Sequence, residues 1–272
     1  MEAEATIVLD RELFEDLYAR YNRREFVHPD PVGFLYRFEN PRDREIAGLI
    51  AACLAYGRVG QIHASVDRVL DPMPSPSRFL QNASPDTLLR TYGNFRHRFA
   101  SGEDLACLLL GAKRILDQWG SLEACFASGL NGGGSARGAL CSFVEELTAG
   151  SSLPGRHLVP SPSKGSACKR LHLFLRWMVR RDRVDPGGWT AVTARSLVVP
   201  LDTHMHRFGL ALGLTRRRQA DARAAGEITA AFATIAPEDP VRYDFALTRL
   251  AIRGGGDLHA FVDRCKTRGH AK

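Results

Sequence analysis

Apolar side chains recur every three or four residues along most of this chain, and this spacing constrains the fold more than any other feature. It predicts helices at 9–21, 44–61, 101–119, 136–149, 165–181, 201–212, 220–235 and 240–253. The β-branched run Leu197-Val198-Val199 is too short to build a sheet. We therefore expect one all-α unit of roughly nine to eleven helices. We expect this unit to have two lobes with a cleft between them. Residues 45–150 would form one lobe, and residues 1–44 together with 151–272 the other.

The segment PLDTHMHRFGLALGL combines a helix start with ionisable side chains. Pro200 stops a helix from continuing out of the preceding residues, and Asp202 is a preferred N-cap residue. A capping carboxylate also points in a fixed direction, where it can stabilise a positive charge or orient a water molecule. Asp202 is thus predicted to cap the helix, and it is a candidate catalytic residue.

The same segment raises a metal hypothesis. On a strand, Asp202, His204 and His206 would share one face, whereas on a helix only Asp202 and His206 would. The apolar pattern continues as a helix, which disfavours three ligands from this segment. We expect no metal site, and a metal-dependent hydrolase using Asp202 and His206 is kept as a minor alternative.

The segment VPSPSKGSACKRLHLFLRW leads from a Pro- and Ser-rich turn into a helix. Free N–H groups, the helix dipole and lysine side chains converge at such a start and suit an anion. The candidate phosphate contacts are Ser163, Lys164, Gly165, Ser166, Lys169 and Arg170. The alternative is a solvated basic helix face.

A third segment, AACLAYGRVGQI, ends an apolar helix in Tyr56-Gly57-Arg58. An aromatic side chain beside an arginine can insert into nucleic acid and hold a phosphate. The same pattern also fits an ordinary helix end with Gly57 in the left-handed conformation. Tyr56 and Arg58 are therefore candidate nucleic-acid contacts.

Charge is distributed unevenly along the chain. Residues 1–150 carry 16 Lys and Arg against 20 Asp and Glu, whereas residues 151–272 carry 21 against 10. A basic half on a chain of net charge +7 fits a polyanionic partner such as nucleic acid. The alternative is a composition bias, because only five of the 37 basic residues are Lys.

The remaining composition restricts the class of protein. The six cysteines form no CxxC pair, which favours reduced, buried thiols over a disulfide framework, a zinc site or an iron–sulfur cluster. No apolar run reaches the roughly 18–20 residues that a membrane helix needs. The first residues, MEAEATIVLD, lack a signal-peptide pattern. We expect a cytoplasmic monomer without a cofactor.

The order of these segments resembles the helix-hairpin-helix-GPD superfamily of DNA glycosylases, and more closely a divergent, uncharacterised bacterial family related to it. LDTH at 201–204 resembles the superfamily's VDTH, whose Asp is catalytic. AGLIAACLAYGRVGQI, LACLLLGAKRILDQWGSL and FALTRLAIRG resemble its other helices. The likeness covers roughly residues 30–255. It implies a two-lobed helical fold, duplex DNA containing a damaged base as partner, and base excision repair as function.

Carried onto this sequence, the resemblance implies roles for particular residues. Asp202 would stabilise the sugar cation or activate the nucleophile, with His204 and Arg207 beside it on the DNA. Tyr56 falls near the position of the intercalating wedge. Some members of the superfamily also cleave the DNA strand and use a catalytic lysine to do so. The position of that lysine falls near Lys164 or Lys169 in this sequence, and the longer gap before Asp202 favours Lys169.

The sequence departs from the superfamily in two places. The hairpin LPGVGxKTA has no close copy, since VPSPSKGSACKR occupies its position. The cysteines that hold an iron–sulfur cluster in some members are absent. The main alternative is therefore a non-catalytic nucleic-acid-binding protein on the same scaffold.

Overall fold

The computed structural model describes residues 8–131, 134–150, 158–253 and 257–269, and they are predominantly helical, which confirms the all-α expectation. In this part of the chain the α-helices are α1 (Arg11–Tyr21), α2 (Pro41–Cys53), α3 (Val59–Leu70), α4 (Pro76–Asn82), α5 (Pro85–Tyr92), α6 (Gly102–Trp119), α7 (Leu122–Ser128), α8 (Ala136–Thr148), α9 (Lys169–Val179), α10 (Thr203–Ala211), α11 (Ala222–Ala233), α12 (Asp244–Arg253) and α13 (Asp257–Gly269). Strands β1 (Arg96–His97) and β2 (Ala100–Ser101) form one short antiparallel hairpin. Residues 197–199 form no strand.

Helix α2 runs through the core. Asn40 caps it by accepting a hydrogen bond from the Arg42 N–H, and Pro41 occupies the first turn, where its missing N–H costs nothing. Most residues of α2 are buried, and α9 packs directly against it. Gly48 permits this contact, because a Cβ there would lie 3.3 Å from Leu35 and 3.4 Å from Phe174.

The prediction of one continuous helix over 44–61 is wrong. Helix α2 ends at Cys53, and α3 starts at Val59 after Gly57, which has φ +98°. Arg170 stabilises this end, since its Nη1 donates to the Cys53 carbonyl at 2.7 Å. The break turns Tyr56 out of the helix and into a connection.

The other helices pack in two groups joined by α2 and α9. Helices α4, α5, α7 and α8 surround α6. Helix α6 begins with a capping box between Ser101 and Asp104, as expected from its sequence. In the second group, α12 contacts α1, α10 and α13. The buried apolar residues of both groups form one continuous core.

Helix α1 joins the second group through an aromatic cluster. The ring of Phe14 lies 5.2 to 6.2 Å from the rings of Phe208, Phe232, Tyr243 and Phe261. Glu15 accepts hydrogen bonds from Arg242 and Tyr243. The first helix of the described chain is therefore held by the last third of the sequence.

Charged side chains are also buried. Arg176 of α9 and Arg180, which follows its last residue, share Asp185. Arg176 also pairs with Asp244 of α12, and Arg180 pairs with Asp239. Glu45 of α2 is fully buried and accepts hydrogen bonds from the Leu122 and Glu123 N–H groups and the Trp189 indole. Buried charges need such partners, since an unpaired one costs several kcal/mol.

Within the described residues, the structure agrees with the sequence analysis on the cysteines and on membrane-spanning helices. All six cysteines are free thiols, and four of them are buried. None of the helices in the described ranges has both the length and the apolar character required to cross a bilayer.

The imidazole of His172 on α9 makes stability depend on pH. Burial lowers the pKa of His172 to about 4, against about 6.5 for an unfolded chain. Between these values the unfolded chain binds more protons, so the free energy of unfolding decreases as the pH falls from 6.5 to 4. The expected loss is about 1.4 kcal/mol per pH unit.

Denaturant titrations of the wild type and His172→Leu between pH 7 and 4.5 measure this contribution. The variant is expected to lose less stability than the wild type over this range, because the other titrating groups act equally in both. Parallel curves for the two proteins would contradict the assignment.

Candidate active site

The structure brings Asp202 and Lys169 together. Both side chains line a cavity of about 100 Å³, which we call the small cavity. Lys169 is the first residue of α9, and Asp202 precedes the first residue of α10. The two residues are 33 positions apart in sequence, and the packing of the two helix starts brings them to one cavity.

Asp202 caps α10 as predicted. Its Oδ1 accepts a hydrogen bond from the Met205 N–H at 2.8 Å, and Met205 and Phe208 anchor the helix in the core. Asp202 is half-buried and lines the small cavity. One carboxylate oxygen is thus used for capping, and the group keeps a fixed position at the cavity wall.

Lys169 is half-buried and also lines a second space of about 500 Å³, which we call the large cavity. Because Ala55 and Ile62 likewise line both spaces, the two cavities adjoin. Within the described residues, no carboxylate lies within 4 Å of the Lys169 ammonium. Lys164 is exposed on the turn Pro162–Lys164 and lines neither cavity, so of the two candidate lysines only Lys169 accompanies Asp202.

The predicted nucleic-acid contacts divide into two sets. Tyr56, Ser166 and Arg170 line the large cavity together with Lys169. The residues that line neither cavity are Arg58, Ser163, Lys164, Gly165, His204 and Arg207, of which all but Gly165 are exposed. The structure therefore groups some of the candidates at the site and leaves the others on the outer surface.

Tyr56 is held firmly in the wall of the large cavity. Its hydroxyl donates to the His97 carbonyl at 3.0 Å, and the two rings meet edge to face at 4.6 Å. The Arg170 guanidinium lies 4.8 Å from the ring centroid on a cation–π contact. Burial raises the pKa of the Tyr56 hydroxyl, so it remains a hydrogen-bond donor at neutral pH.

The predicted helix start at Gly165 is wrong. Gly165 and Ser166 lie outside α9, which begins at Lys169 after Cys168. Gly165 has φ +79° and ends the preceding turn, and its carbonyl accepts a hydrogen bond from Ala222 at 3.0 Å. The residues before α9 are thus held by the start of α11, a long-range contact that the local sequence does not indicate.

The metal alternative finds no geometric support in the described ranges. The His206 Nε2 lies 2.8 Å from the Arg217 carbonyl and is occupied by that hydrogen bond. Within the same ranges, no group of three or more His, Cys, Asp or Glu side chains is arranged to hold a metal ion.

Sequence reasoning gave no site role to four polar residues of the small cavity: Asp30, Arg176, Asp244 and Thr248. Asp244 is buried and pairs with Arg176. Burial raises the pKa of Asp244 to about 6, Arg176 opposes this rise, and the neighbouring charge of Asp202 adds to it. Asp244 starts α12, 42 residues after Asp202, and no local pattern links the two.

Comparison with known proteins gives a family. The family described as "Protein of unknown function (DUF2400)" matches residues 30–253, and the chain belongs to it. No curated protein and no solved structure matches the chain.

Capping by Asp202 makes a stability prediction. Asp202→Ala removes the acceptor for the Met205 N–H and is expected to lower the free energy of unfolding by about 1 kcal/mol. Asp202→Asn keeps a good capping residue and is expected to cost only a few tenths of a kcal/mol. Thermal or urea unfolding of the two variants measures this difference. Equal losses would contradict a cap through this side chain.

Proposed function

We propose that this protein is a DNA glycosylase that excises a damaged base, with Asp202 and Lys169 as catalytic residues. The observation that carries the proposal is that both side chains line one cavity. The resemblance to the helix-hairpin-helix-GPD glycosylases assigns the catalytic Asp to Asp202 and places the lysine near Lys164 or Lys169. Packing supports Lys169 of these two, since Lys164 lines neither cavity.

We further propose that DNA enters a cleft between two lobes. Ala55 and Ile62 come from the stretch 45–150, whereas Lys169, Pro200 and Asp202 come from 151–272. Both stretches thus contribute to the wall of the small cavity. The large cavity, which adjoins it, would lie on the route of the flipped nucleotide.

In this mechanism the damaged base leaves the helical stack and enters the site, which costs a few kcal/mol. Breaking the bond between C1′ and the base builds positive charge on the sugar, and the nearby Asp202 carboxylate stabilises that charge. The base leaves with the bonding electron pair and takes up a proton. Either water or the Lys169 amine supplies the new bond to C1′.

A lyase step follows if Lys169 is the nucleophile. The amine must first lose a proton, and its attack at C1′ gives an adduct that opens to a Schiff base. Elimination of the 3′ phosphate from this Schiff base cleaves the strand. Lys169 suits the role because it lines both cavities and has, within the described residues, no carboxylate within 4 Å.

Exposed cations would grip the phosphates around the site. The exposed candidates are Arg58, Lys164 and Arg207, and the half-buried Arg170 and the neighbouring His204, Ser163, Gly165 and Ser166 are further candidate contacts. Residues 151–272, which supply most of them, carry 21 Lys and Arg against 10 Asp and Glu. We propose a monomer on duplex DNA.

The alternative is a nucleic-acid-binding protein without catalysis. The observation that favours it is the bond from the Met205 N–H to Asp202, which a purely structural residue would also accept. Activity measurements separate the two proposals.

Asp202→Asn tests catalysis, because asparagine keeps the cap and removes the charge. Wild-type protein is first assayed on duplexes that contain uracil, 8-oxoguanine, alkylated purines or an abasic site. On the base that it excises, Asp202→Asn is expected to lose at least about 100-fold in rate with DNA binding retained. Wild-type protein that binds DNA but excises none of these bases would favour the non-catalytic alternative.

Lys169 is tested by borohydride trapping of the Schiff base on damaged DNA. Trapping is expected in the wild type and in the control Lys164→Gln, and it is expected to disappear in Lys169→Gln. An unchanged covalent yield in Lys169→Gln would reject this lysine as the nucleophile. Excision without trapping in any of the proteins would leave water as the nucleophile.

A further inference from the structure

Phe99 is the most exposed of the large apolar side chains in the described ranges, with 73% of its surface accessible. It lies with Arg98 in the two-residue turn between β1 and β2. Single exposed aromatic residues are common on protein surfaces. Exposure alone therefore does not indicate a role for Phe99, and any role must be argued from its position in the structure.

The backbone of this turn is held in an unfavourable conformation. Arg98 has φ +53°, one of two positive φ values at non-glycine residues in the described ranges. The first turn position of a two-residue hairpin favours glycine when φ is positive. Strain of this kind persists only where surrounding contacts impose it, and such positions cluster at functional sites.

The hairpin is fixed to the wall of the large cavity through His97. The backbone carbonyl of His97 accepts a hydrogen bond from the Tyr56 hydroxyl at 3.0 Å. The Nε2 atom of the His97 ring lies 3.0 Å from the Tyr56 carbonyl oxygen. Ser65 Oγ lies 2.8 Å from Nδ1 of the same ring. Because Phe99 follows His97 by two residues, its Cα lies within about 7 Å of that anchor. The backbone that carries the exposed ring is thus held close to Tyr56, which lines the large cavity.

Cations surround the same place. The Arg98 side chain lies against Gly57, where an added Cβ would be 2.9 Å from the Arg98 Cδ. Arg170 covers the Tyr56 ring and, with Lys169, lines the cavity. Of the two nearest acidic residues at the start of α6, Asp104 is used in the bonds to Ser101, and Glu103 is exposed. An aromatic ring beside several cations matches the bases and phosphates of nucleic acid.

We propose that the hairpin of residues 96–101 contacts duplex DNA at a position that lacks a stacked base. Phe99 inserts there and stacks on the neighbouring base, while Arg98 binds an adjacent phosphate. The proposal rests on the proposed function. It replaces Tyr56 as the inserted aromatic residue, because moving Tyr56 would break its hydroxyl bond to His97 and its contact with Arg170.

The test measures binding to two duplexes of one sequence, one intact and one with a central tetrahydrofuran abasic analogue. Wild-type protein is expected to prefer the abasic duplex, and Phe99→Ala is expected to lose about tenfold of that preference. Phe99→Trp keeps an aromatic ring and is expected to retain the preference. Leu89→Ala, which removes another exposed apolar side chain on α5, is the matched control and is expected to behave as wild type.

Arg98→Gly tests the contribution of the arginine charge separately from that of the Phe99 ring. Glycine suits the positive φ, so the turn is kept while the charge is removed. Affinity for both duplexes is expected to fall in parallel. The dependence of log Kd on log salt concentration is expected to decrease by about one phosphate contact.

An unchanged abasic preference in Phe99→Ala would overturn the inference, and so would wild-type protein that binds neither duplex. The glycosylase proposal fails separately. If the preference depends on Phe99 but the wild type excises no base, the hairpin contact stands and the glycosylase does not. If excision is present and Phe99→Ala matches the wild type in binding and rate, only the hairpin inference fails.

Discussion

The buried charges of Arg176 in α9 and of Arg180 directly after it hold the candidate site in place. Arg176 and Arg180 are almost fully enclosed and pair with the carboxylates of Asp185, Asp239 and Asp244. Enclosing these groups is costly, and the cost is recovered only in one geometry with the partners correctly placed. The network therefore ties α9 to α12 and to the connection after α9. Lys169 sits at the other end of the same helix, so its position against Asp202 follows from these pairs.

A second set of contacts links the site to the surface. Arg170, one residue after Lys169, donates to the end of α2 and covers the ring of Tyr56. Tyr56 in turn binds His97, which belongs to the hairpin that carries Phe99. A continuous series of contacts therefore links Lys169 to Phe99 through Arg170, Tyr56 and His97. Motion of the hairpin and access to the large cavity are thus expected to be coupled.

The sequence predicted the features that depend on neighbouring residues. Helical spacing located most of the long helices, and Pro200 followed by Asp202 located the start of α10. The short helices α4 and α5 were missed because seven or eight residues carry too little periodicity, although each starts at a proline. The local pattern indicated a helix end near Gly57, but the prediction of a helix over 44–61 still joined α2 to the start of α3. Arg170 and Arg98, both remote in sequence, complete the break between the two helices.

The candidate site shows the same division. Asp202 and Lys169 were found from local chemistry and from a resemblance that orders the segments. Asp30 and Asp244 could not be found, since only packing brings them to the small cavity. Tyr56 was singled out from its local pattern and lines the large cavity, but its hydrogen bond to His97 depends on a hairpin that no local pattern indicated. Contacts between residues that are distant in sequence therefore determine what each of these side chains touches.

The aromatic cluster around Phe14 has a consequence for biosynthesis. Its partners extend to Phe261, and the neighbouring Glu15 binds Arg242, 227 residues further along the chain. At a translation rate of 5–20 residues per second, α1 leaves the ribosome roughly 10 to 45 s before these partners exist. During that interval its apolar face has no native surface to cover it. Ribosome-bound chains arrested before residue 240 are therefore expected to remain open to protease at α1, and completion of the chain is expected to close it.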